Sequence, residues 1–153
     1  MKFMNTKWKL TVIFVLLMII VICIFFFQTK SAVTGLGQSF VDEVEKNIIE
    51  KGFVDFNVIA DFEWKRLIIV GPYSNVRRVL TEEGLNWQRP VTYIETSDEN
   101  TLLMFANKNN VVAFVYYPRG RGDFSQAVQG WAAFNRSETI FSFENEFERR
   151  INE

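Results

Sequence analysis

The chain has 153 residues, 23 % of them charged and 16 % aromatic, with a formal charge of −1, no histidine and a single cysteine, Cys23. Without histidine there is no Ser-His-Asp triad, no Cys-His pair and no imidazole-ligated zinc, and a lone cysteine excludes an internal disulfide or a thiolate cluster. The length allows one domain beside an anchor.

Residues 1–9 form a short, basic N-terminus expected on the cytoplasmic side. Leu10 to Phe27, LTVIFVLLMIIVICIFFF, is apolar except for Thr11. At 1.5 Å per residue a helix of that length spans about 27 Å, close to the hydrocarbon thickness of a bilayer. Lys2, Lys7 and Lys9 precede it, Trp8 stands at its border, and Lys30 is the one cation that follows closely. The positive-inside rule then leaves the rest of the chain outside. A cleaved signal peptide is the competing reading. The run is too long for one and ends in Phe25-Phe26-Phe27, so an uncleaved signal anchor is expected. Cys23 reads as an apolar residue within the span. With those four lysines set apart, 13 of the 17 Lys and Arg remain against 18 Asp and Glu, about −5. That balance speaks against a nucleic-acid partner.

Residues 28–38 read as a tether and residues 39–153 as an extracytoplasmic domain. Ser39 is expected to cap a helix with Val41, Val44 and Ile48 on one stripe, stopped by Gly52. Val54, Phe56, Val58, Ala60, Phe62 and Trp64 alternate with more polar positions, which predicts a half-buried strand that Asp61 bends. Leu67 to Val70 is apolar throughout, as in a central strand covered on both faces. Gly71-Pro72 ends it, and Ser74 is expected to cap a helix over 75–83 that Gly84 closes. Val91 to Ile94 predicts a short strand. Thr101–Ala106 and Val111–Tyr117, joined by Asn107-Lys108-Asn109-Asn110, predict a hairpin. Arg119 to Gln126 is a loop, Trp131 to Phe134 is ambiguous, Glu138 to Phe143 reads as a last strand, and Phe147 and Ile151 fall on a terminal helix. The predicted fold is α+β: a single, mostly antiparallel sheet of four or five strands with helices on one face, preceded by one transmembrane helix.

No stretch carries a cofactor or metal motif. The corner Val70-Gly71-Pro72-Tyr73-Ser74-Asn75 has the strand–turn–helix outline of a phosphate cradle. It has one glycine, however, and Pro72 removes an amide where one is needed. Arg77 and Arg78 stand in the first turn, against the helix dipole, and Tyr73 sits at the corner's tip. Arg121-Gly122-Asp123 spells an adhesion tripeptide, but Arg119, Arg121 and Asp123 are equally able to pair among themselves and shape the loop. Asp55, Asp61 and Glu63 share one face of the predicted strand, a pattern open to a carboxylate hydrolase and equally to a solvated strand face.

The spacing Phe62-x-Trp64-x-Arg66-Leu67-x-x-x-Gly71-Pro72-Tyr73, followed by Leu103 and Phe105, Tyr117-Pro118-Arg119 and Gly122-Asp123-Phe124, resembles a family signature. It is that of small uncharacterised membrane-anchored or lipoprotein-like extracytoplasmic proteins of low-GC Gram-positive bacteria, with a Phe-x-Trp-Asp-x-x-x-x-x-x-Pro-Tyr pattern. The resemblance covers about residues 55 to 125 and implies an envelope location. Lys65 stands where the pattern has Asp, so any role of that acid does not carry over.

The function expected from these readings is a non-catalytic interaction module held by one membrane span. Its partner would be another envelope protein, met in a binding, immunity-like or inhibitory role through Trp64, Tyr73, Arg77, Arg78, Arg119 and Asp123. The alternatives are an envelope hydrolase using Asp61, Glu63 or Asp123, and a structural subunit of a membrane complex.

Overall fold

The computed structural model describes residues 12–20 and 33–143, which belong to two compact units divided after Ala32. In the first unit residues 12–20 are helical (α1), and the large side chains from Val12 to Ile20 are exposed. The rest of the predicted span, its flanking lysines, Trp8 and Cys23 lie outside the described residues, as do Phe147 and Ile151. Among the described residues no helix is long and apolar enough to cross a membrane.

The second unit is α+β. Its elements are β1 (Thr34–Gly35), α2 (Gln38–Lys51), β2 (Phe53–Asp55), α3 (Phe56–Ile59), β3 (Arg66–Val70), α4 (Val76–Glu82), β4 (Asn100–Asn107), β5 (Asn110–Pro118), β6 (Trp131–Asn135) and β7 (Ile140–Ser142). Five strands form the main sheet in the order β1-β5-β4-β3-β6, and β2 pairs with β7 in a separate antiparallel ribbon. Only β1 runs parallel to its neighbour, with Thr34 opposite Ala113. The expected single sheet is therefore two sheets.

β3 is the middle of this arrangement, antiparallel to β4 on one side and to β6 on the other. Because side chains alternate along a strand, its uninterrupted apolar run must be covered on both faces. Leu67 and Ile69, with Leu103 and Phe105 of β4, face Phe40, Val41, Val44 and Ile48 of α2. Ile68 and Val70, with Leu102 and Met104, face Val76, Val79 and Leu80 of α4. Helices thus cover both faces of the sheet, which corrects the expectation of one. The core under α2 is strongly aromatic: the Phe56 ring lies 5.8 Å from Phe105, 5.5 Å from Phe124 and 6.0 Å from Phe141.

The hairpin forms where expected, its turn made by Lys108 and Asn109 between β4 and β5. Four other expectations are corrected. Asp55 stops the predicted strand over 54–64 by accepting the Asn57 amide at 2.9 Å, which starts the short helix α3. Val58 is left 72 % exposed while Phe56 is fully buried. The predicted tether contributes strand β1, and Leu36 donates to the Phe114 carbonyl. α2 begins at Gln38 behind Gly37, without a side-chain cap from Ser39. The strand expected at 91–94 is a 3-10 turn over Tyr93–Glu95. The ambiguous Trp131–Asn135 segment is the edge strand β6.

Candidate functional site

The loops after β3 and β5, and those before β4 and β6, meet at one end of the main sheet. Gly71 donates to the Gly130 carbonyl at 2.7 Å, and a Cβ on Gly71 would stand 3.0 Å from that oxygen, so the two loops touch backbone to backbone. Ser74 donates its hydroxyl to the same oxygen at 3.2 Å instead of capping α4. The cap is Asn75, whose side chain accepts the Arg78 amide at 2.8 Å. The Glu95 carboxylate accepts the Val76 amide at 2.9 Å. An anion from the chain itself therefore occupies the place that a phosphate would take at this corner.

Tyr73 stands at the tip, 65 % exposed, with φ +61°. Its amide donates to the Ile94 carbonyl at 2.8 Å, which fixes it against the Tyr93–Glu95 turn. Tyr93, also exposed, donates its hydroxyl to Glu99 at 2.6 Å. Left-handed backbone at a bulky residue is strained, and the surrounding bonds hold it there.

Beneath the tyrosines lies a fixed ion pair. Arg119 donates from Nε to Asp123 Oδ1 at 3.0 Å and from Nη2 to Oδ2 at 2.7 Å, and its Nη1 reaches the Asp98 carbonyl at 3.0 Å. Asp123 also accepts the Ser125 amide and hydroxyl, capping the turn Phe124–Ala127. Burial pushes the Asp123 carboxyl up, but the bonds from Arg119 and Ser125 outweigh it and hold it below the ordinary value. Arg119 is held above its ordinary value, chiefly by its bond to Asp123, with smaller contributions from Asp98 and Tyr73.

Arg121 turns the other way, to Asp42 at 2.8 Å and Glu45 at 3.1 Å on α2. Both charged members of the Arg121-Gly122-Asp123 tripeptide are thus engaged within the molecule. Gly122 has φ +144°, and a Cβ there would stand 2.6 Å from Ile48 Cδ1.

Of the predicted contact residues, the corner unites Tyr73, Arg119 and Asp123. Arg77 and Arg78 lie exposed on α4, Arg78 paired to Glu82 at 2.7 Å and 5.5 Å from the Trp131 ring centre. Trp64 is elsewhere and buried, 2 % exposed, edge-on to Phe105 at 5.3 Å. Although the alternation stops at Asp55, Trp64 keeps the buried side that the pattern gave it and belongs to the core, so it is not placed to contact a partner. The acids considered for hydrolysis do not converge. Asp61 and Glu63 are exposed, Asp55 caps α3, and Asp123 is bound to Arg119. Among the described residues no group of three His, Cys, Asp or Glu is placed to hold a metal ion.

The opposite end of the sheet carries a feature that linear reading missed. An open groove of about 540 Å³ is lined by Lys65, Arg66, Lys108, Asn135, Arg136 and Ser137. The four cations come from three separate stretches of sequence, joined by the register that sets Arg66 beside Ala106 and Asn135. No run of basic residues announces them.

No protein-family model matches this chain, and no curated protein or solved structure shows significant similarity to it.

Proposed function

We propose that this protein is a membrane-anchored extracytoplasmic interaction module, non-catalytic, which meets another envelope protein through the corner around Tyr73. The observation that carries the reading is Tyr73 itself. A bulky residue holds a left-handed backbone at an exposed tip, where glycine would sit without strain. The strain serves no core contact, since the ring points to solvent, and a ring kept out at such a position suits recognition. Arg119, pinned by Asp123, gives the corner a preformed support, so that little ordering is needed on binding.

The membrane part of the reading rests on the 18-residue apolar run at 10–27 and on the lysines before it. The resemblance to small anchored envelope proteins agrees with that placement. An immunity-like or inhibitory role is the form of interaction this design fits, because the partner is met at the outer membrane face.

Protease treatment of intact protoplasts tests the topology. The domain beyond residue 33 is expected to be digested without lysis, and its protection would overturn the placement. Co-purification after in-cell crosslinking tests the partner. One protein recovered with the native chain and lost with Tyr73→Ala supports the reading, and recovery unchanged by that substitution contradicts it.

A further inference from the structure

The end of the sheet opposite Tyr73 is basic, although the chain beyond the apolar run is acidic overall. Of the four cations lining its groove, Arg66 is neutralised by Glu83 at 3.5 Å. Lys65 and Lys108 are exposed and have no ion pair among the described residues. Among the described residues Arg136 is held in place without a carboxylate: it donates to Asn57 Oδ1 at 3.0 Å and to the Trp64 carbonyl at 3.4 Å, and it stacks over the Trp64 ring at 4.9 Å. The nearby acid Glu138 is occupied, accepting the Asn135 amide at 2.9 Å. Among the described residues two exposed lysines and a half-buried, rigidly held arginine are therefore left without an ion pair at this end.

The direction of the chain brings its N-terminal side to this end. β1 runs parallel to β5, so the backbone reaches Thr34 from the side of Asn110, the end of the sheet that carries Lys108. Only residues 28–32 separate the apolar run from Val33. Fully extended, five residues reach about 18 Å. β1 lies three strands from β3, a lateral offset of roughly 14 Å. A five-residue connection of that reach is long enough for the basic end to meet a lipid surface in which the apolar run is anchored. Anionic headgroups there attract exposed lysines and arginines, within a Debye length of about 10 Å.

We infer that Lys65, Lys108 and Arg136 form a docking face for anionic lipid headgroups, which rests the basic end on the bilayer and turns Tyr73 outward. The inference rests on the anchored reading given above.

The full chain carrying Cys23→Ser and Ser137→Cys, labelled at residue 137 with a polarity-sensitive fluorophore, is reconstituted into vesicles. The lipid is phosphatidylcholine alone or with phosphatidylglycerol. Flotation with phosphatidylcholine vesicles after alkaline washing reports the anchor independently of docking. With phosphatidylglycerol the label is expected to be shielded from an aqueous quencher, whereas a label at Gln129→Cys, at the other end, stays open. Shielding should vanish in high salt. Lys65→Gln and Lys108→Asn should each lower the docked-to-undocked ratio about fivefold. Asparagine is chosen because Lys108 has φ +52°, which asparagine tolerates, so folding is preserved. Equal quenching at residue 137 in both lipids would overturn the docking face, even where flotation upholds the anchor. Shielding abolished by inorganic phosphate at constant ionic strength would also overturn it, in favour of a soluble phosphate.

Discussion

Three residues test the corner's construction individually. Tyr73→Gly removes a left-handed strain of about 1–2 kcal/mol and adds about 0.5–1 kcal/mol of chain entropy. The expected net is a stabilisation of up to about 1.5 kcal/mol, read as an unchanged or slightly raised melting temperature. A fall of several degrees would mean that the ring supports the fold. Gly122→Ala is expected to cost about 2–3 kcal/mol, because it adds both strain at φ +144° and a clash with Ile48 Cδ1. Ile48→Val removes that methyl, so in a double-mutant cycle by urea unfolding the pair should cost less than the sum of its parts. Asp123 supplies the pH dependence. Its folded pKa lies below the ordinary 3.8, so its contribution is complete above that value and is lost as the pH falls below it. Asp123→Asn should cost about 1–3 kcal/mol near neutrality, with the difference from the native chain shrinking in acid unfolding.

At the scale of elements, the sequence was most readable where pattern and local chemistry agreed. The hairpin over 101–117 combined apolar strands with an Asn-rich turn, and it formed as expected. β3 was legible too, and its apolar run on both faces already required cover on both sides, which the expectation of helices on one face overlooked. The stretch from Val54 to Trp64 misled because a period of two is also produced by a strand, a capped turn and a loop in series. There the Asp55 side chain, accepting from both the amide and the side chain of Asn57, outweighed the alternation. β1 and β6 were hard to read because each is defined by its neighbour in the sheet and not by its own residues. The two-faced cover is checked by substitution. Val79→Ala, on the buried side of α4, should cost about 2–3 kcal/mol in thermal or urea unfolding, whereas Val58→Ala, largely exposed, should stay within about 0.5 kcal/mol of the native chain. Equal effects at the two sites would contradict the second core.

For the whole molecule, net charge concealed the organisation that the fold creates. Counting acids and bases gave an acidic domain and spoke against a nucleic-acid partner. It also hid the groove, whose cations are scattered in sequence and collected by strand register. The candidate contact set was legible in part. Tyr73, Arg119 and Asp123 were marked by turn chemistry and local charge, and they do share one end of the sheet. Trp64 was misplaced because the exposure of an aromatic depends on which partner element covers it. The two ends of the sheet thus differ in character, one tyrosine-rich and braced by an ion pair, the other cationic. That polarity fits the proposed module, with one face toward a membrane and one toward a partner. The central claim is that the corner is a contact surface, and a photoreactive residue placed at position 73 in living cells tests it most directly. A single crosslinked species from position 73, absent when the same group is placed at exposed position 58, is the predicted result. No product from position 73, or the same products from both positions, would contradict it.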